Sequence, residues 1–74
     1  MLQVDLKETD QKLSQLITDQ CSHCGKVVSV KIHRTTTPFA LVEMNHHMRA
    51  LELAGKFGGS TFGTSVLIHL EQKP

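Results

Sequence analysis

The chain has no Trp and no Tyr, and only three Phe, two Cys and two Pro among its 74 residues. It has no long apolar run, and neither sign of charge is in excess: eight Lys and Arg stand against seven Asp and Glu, for a formal net charge of +1. Each shortage excludes something. No stretch approaches the roughly 20 apolar residues that a membrane-crossing helix needs, and the N-terminus lacks a basic segment followed by an apolar one. The expectation is a soluble, intracellular chain, nuclear or cytoplasmic, with no membrane partner. The near-neutral charge argues against a protein that holds nucleic acid mainly through its phosphates, because that affinity scales with the number of phosphates neutralised. The cations are scattered, and only Lys31 to Arg34 form a small basic edge.

What is present is a chain of ordinary globular composition, long enough for one domain over residues 1–74 that buries roughly 60% of its unfolded surface. No repeat, linker or low-complexity segment interrupts it. The most informative stretch is Thr37-Pro38-Phe39-Ala40-Leu41-Val42-Glu43-Met44. Its period of two places Ala40, Val42 and Met44 on one face of a strand and Phe39, Leu41 and Glu43 on the other. The first set suits a core. The second sets a ring and a Leu where a half-buried sheet normally shows polar groups to water, and an apolar outer face on a small domain marks a docking surface.

The rest of the chain supplies the partners of that strand. Leu2 to Leu6 alternates and predicts a first strand. Thr9 or Asp10 can cap a helix whose apolar positions are Leu13, Leu16, Ile17, Cys21 and Cys24, with Gly25 as its stop. Val27 to His33 is rich in β-branched residues, with Val28, Val30 and Ile32 facing one way and Ser29, Lys31 and His33 the other. This segment and the Phe39 strand predict an antiparallel hairpin across Arg34–Pro38. Asn45 is a candidate cap for a second helix with an inner stripe of Ala50, Leu53, Ala54 and Phe57. Gly58-Gly59-Ser60 ends it and Gly63 marks a turn. Ser65 to Leu70 is the last strand, with Val66, Ile68 and Leu70 inward, and a tail at 71–74 is expected to fray.

The order β-α-β-β-α-β predicts an α+β, ferredoxin-like βαββαβ sandwich: a four-stranded antiparallel sheet with both helices on one face. The open face then carries Gln3, Lys31, His33, Phe39, Leu41, Glu43, Leu67 and His69.

With these residues in place the chain resembles an RNA recognition motif (RRM) over nearly its whole length. The resemblance is carried by Leu2–Leu6, Cys24-Gly25-Lys26-Val27, Val30-Lys31-Ile32, Phe39–Met44 and the Ala50…Leu53-Ala54…Phe57 stripe. The family's octapeptide runs basic, Gly, aromatic, small, aromatic, aliphatic, any residue, aromatic. Thr37 to Met44 fills these places with Phe39, Ala40 and Val42 kept. Thr37, Pro38, Leu41 and Met44 depart from it, and Gln3 stands where the first strand of the family has another stacking ring. The resemblance implies a domain that recognises single-stranded RNA on its open sheet face. Phe39 is the main stacking platform, supported by Gln3, Lys31, His33, Leu41, Leu67 and His69, with Lys31 and Arg34 holding phosphate. With stacks of about 1–3 kcal/mol each and one ring kept out of three, binding is expected to be weak. The alternative is a protein-interaction or self-association module that uses the same apolar face.

Two further readings concern reactive residues. Cys21-Ser22-His23-Cys24 closes a helix, whereas a redox pair needs a helix N-terminus to lower its thiol pKa. A zinc site of Cys21, Cys24 and His46 or His47 is conceivable from the topology, but one Cys pair alone is a poor zinc signature. Burial of both as small apolar residues is the simpler expectation. No nucleophile–base–orienter set, carboxylate pair or phosphate cradle stands out, so no enzyme activity and no cofactor are expected.

Overall fold

A computed structural model describes residues 1–74. Seven elements follow along the chain: β1 (Leu2–Val4), α1 (Asp10–Cys21), β2 (Val27–His33), β3 (Phe39–Met44), α2 (His47–Phe57), β4 (Ser60–Phe62) and β5 (Ser65–Gln72). The protein is a small α+β domain with two helices and a five-stranded mixed sheet.

The helices form where their sequence signals lie. The Thr9 side chain accepts a hydrogen bond from the Lys12 N–H at 3.2 Å and so satisfies one free donor at the start of α1. The helix ends at Cys21, a turn earlier than Gly25 predicts, because Cys24 and Gly25 fold back to the Cys21 and Ser22 carbonyls. α2 is capped by His46, which makes no side-chain capping bond, and not by Asn45, whose N–H is drawn to the Lys26 carbonyl. Gly58, with φ of 67°, closes α2 in the left-handed conformation that glycine adopts without strain.

The sheet differs from the expected one in strand number and direction. Its order is β1-β5-β3-β2, with β4 also paired to β5. The physical reason is a short hairpin after α2. Phe62 pairs with Ser65 around Gly63-Thr64, and Gly63 has φ of 64°, at the turn position a two-residue hairpin of type II′ reserves for glycine. That turn reverses the chain, so β5 enters the sheet antiparallel to both β4 and β3, and therefore parallel to β1. β1 and β4 share one side of β5, pairing with its two ends. The four-stranded, all-antiparallel arrangement is thus replaced by five strands with one parallel edge. The tail is also longer in structure than predicted. β5 runs to Gln72, and the Lys73 N–H bonds to the Val4 carbonyl.

One core holds these layers together. Ala40, Val42 and Met44 of β3, with Val66, Ile68 and Leu70 of β5, face Leu13, Ile17 and Cys21 of α1 and Ala50 and Leu53 of α2. No polar or charged residue is buried among them. Because all these strand residues lie on one face, both helices lie on that face and the other is left open. A bulge between Val27 and Ser29 shifts the β2 register and turns Val28 outward, to 55% exposure, against the inward position that simple alternation gives it. No helix is long and apolar enough to cross a membrane.

Candidate nucleic-acid interface

The open face is set by strand register. His33, Phe39 and His69 form one row across β2, β3 and β5, since His33 pairs with Phe39 and Phe39 with His69. The next row is Lys31, Leu41, Leu67 and Ser60, and beyond it come Ser29, Glu43, Ser65 and Phe62. The alternation that buries Ala40, Val42, Val66 and Ile68 points all of these away from the helices. Phe39, Leu41 and Leu67 are half-buried by their neighbours, while Lys31, His33, Glu43 and His69 are exposed.

The first row is an array of rings. The His33 and Phe39 rings are stacked with centroids 4.7 Å apart and planes 11° from parallel. That separation matches the spacing of neighbouring strands, so the rings lean against one another across the β2–β3 ladder. One face of Phe39 is therefore already covered by His33, and His69 is its register partner on the other side, on β5. Lys31 lies next to this row without an ion-pair partner.

Two sequence-predicted residues have different surroundings from those expected. Arg34 does not stand free at the basic edge. Its Nε donates to Asp10 Oδ1 at 2.7 Å, and its two terminal nitrogens donate to the Leu6 and Glu8 carbonyls, each at 2.6 Å. It ties the end of β2 to the loop between β1 and α1. Gln3 does face the open side, but β1 is an edge strand here, so Gln3 is paired with Glu71 and separated from Phe39 by the whole width of β5.

Phe62 is the residue that alternation did not single out. It is 62% exposed and extends the face at the corner opposite the His33–Phe39 pair. The signal was present in Thr61-Phe62-Gly63-Thr64-Ser65-Val66, a glycine-first two-residue turn between β-favouring residues.

The cysteines belong to the core. Cys21 is fully buried, and burial together with the nearby Cys24 thiol pushes its pKa up to about 11, which keeps it protonated and unreactive. Cys24 is half-buried against the same cluster. No three His, Cys, Asp or Glu side chains converge on a common point, so the Cys21, Cys24, His46 and His47 set is not assembled. His47 is engaged elsewhere, with Nδ1 2.6 Å from the Gly63 carbonyl.

Comparison with family models, with curated proteins and with solved structures returns no significant match to this chain.

Proposed function

We propose that this domain binds single-stranded RNA weakly through its open sheet face, in the manner the resemblance to RNA recognition motifs implies. The observation that carries the reading is the row of three rings, His33, Phe39 and His69, set side by side on three adjacent strands. Imidazole and phenyl rings both stack on unpaired bases, and this row offers such rings on three adjacent strands. Leu41 and Leu67 give apolar contact in the next row, and Phe62 offers a second ring at the far corner. Lys31 is the cation placed to meet a phosphate. Arg34 is left out of this set because its donors hold the protein's own loop, and Gln3 stands at the margin.

One base–aromatic stack is worth about 1–3 kcal/mol, so few stacks and one free cation support modest affinity. Anisotropy titration of labelled mixed-sequence pentamers at low salt tests this. The expectation is saturable binding that falls roughly 5- to 100-fold in Phe39→Ala, with an unchanged circular dichroism spectrum. Equal binding by Phe39→Ala would remove the ring row from the account.

A second reading rests on the contiguous half-buried Leu41 and Leu67 with exposed Phe62 nearby, which also suits a protein surface or a second copy of the chain. Sedimentation of the free protein and of Leu41→Ser separates the two. A concentration-dependent dimer that Leu41→Ser abolishes would favour self-association.

A further inference from the structure

Next to the ring row, the sheet carries a row of polar side chains that the stacking reading leaves unused. A cleft of about 290 Å³ opens there, lined by Thr36, Thr37, Pro38, His69 and Glu71 among others. Glu71 is two residues beyond His69 on the same outward face of β5, and its register partner on β1 is Gln3. Glu71 has no ion-pair partner, whereas the next residue, Gln72, is bonded to the Leu6 N–H and to Asp5 Oδ1. A volume near the low end for small-ligand pockets suits one base and little more.

We infer that this cleft reads the edge of the base stacked at Phe39 and His69, and that it prefers guanine. The inference rests on the RNA-binding reading and deepens it. An ionised carboxylate only accepts hydrogen bonds. Guanine alone among the four bases presents two adjacent donors, N1–H and the N2 amino group, to which one carboxylate bonds in a bidentate, charge-assisted pair. Adenine and cytosine offer a single amino group beside a ring acceptor, and uracil a single N–H between two carbonyls. Each of these sets an acceptor against the Glu71 oxygens and so loses the second hydrogen bond of the pair. Gln3, the partner of Glu71 on β1, borders a separate hollow beside α1, so the discrimination falls to Glu71. The pairing also explains a feature that otherwise opposes RNA binding: an acidic side chain next to the stacking row repels phosphate, and is useful there only to an edge with matching donors.

The test uses labelled pentamers UUGUU, UUAUU, UUCUU and UUUUU with the wild-type domain and Glu71→Gln, an exposed substitution that leaves the core untouched. The expected result is about tenfold tighter binding of UUGUU than of the other three, as a good bidentate pair provides, and a preference that shrinks to about twofold or less in Glu71→Gln. Equal binding of all four by the wild type, or a preference that survives Glu71→Gln, would overturn the guanine assignment and leave the RNA reading standing. Binding of none of the four would overturn both.

Discussion

Replacing Arg34 by Ala separates a structural cation from a phosphate-binding one. In the structure Arg34 closes a loop: it makes one bond to a carboxylate and two to backbone carbonyls, joining residues 24 to 28 positions apart in the chain. The pair with Asp10 is solvent-exposed and is worth about 0–1 kcal/mol. The two bonds to the Leu6 and Glu8 carbonyls contribute about 0.5–1.5 kcal/mol each net of water. The sum is about 2 kcal/mol, which for a domain of this size corresponds to a melting temperature lower by about 10 °C. Thermal melting by circular dichroism reads that loss directly. The same variant should bind the RNA pentamers with unchanged affinity and an unchanged salt slope at temperatures where it remains folded. An unchanged melting temperature, together with weaker RNA binding and a salt slope smaller by about one, would refute the reasoning and return Arg34 to the phosphate backbone.

Other perturbations test the core, the backbone and the buried thiol. Leu53→Ala removes a fully buried side chain between α2 and the sheet and should destabilise by about 2–5 kcal/mol in urea unfolding. Two glycines should respond with opposite sign. An added Cβ at Gly59 would lie 2.5 Å from the Leu67 carbonyl oxygen, so Gly59→Ala should destabilise by about 1–3 kcal/mol, whereas Gly55 in α2 has open space around it and Gly55→Ala should stabilise by up to about 1 kcal/mol. Cys21 has its pKa raised above the ordinary thiol value, so the folded state keeps a proton that the unfolded state releases. Its contribution is fully present below about pH 9 and is lost as pH rises towards about 11, and Cys21→Ala should flatten the fall in stability over that window in urea titrations.

Local regularities were legible in the sequence, and non-local ones were not. The β3 strand was plain because six residues alternate without interruption, and both helices because their apolar stripes keep helical spacing. The inward residues of β5 followed from the same rule. β4 was hidden because Ser60–Phe62 is three residues long and lies among glycines that read as a turn. Without it the direction of β5 could not be read, nor that β1 pairs in parallel with the far end of β5. Val28 was misplaced because a bulge adds one residue that periodicity does not reveal. For the site, the outward residues of β2, β3 and β5 share a face as their alternation requires. The stacking of His33 on Phe39 depends on hairpin register, and the engagement of Arg34 on a loop far away in sequence, so neither could be read from spacing.

The most direct test of the central claim is a map of amide chemical shifts on the isotopically labelled domain as mixed-sequence RNA pentamers are added. The account predicts dose-dependent shifts concentrated at Lys31, His33, Phe39, Leu41, Leu67 and His69, with Leu13, Ile17 and the outer faces of the helices unmoved. Shifts confined to the helices, or no shifts at millimolar RNA, would contradict it.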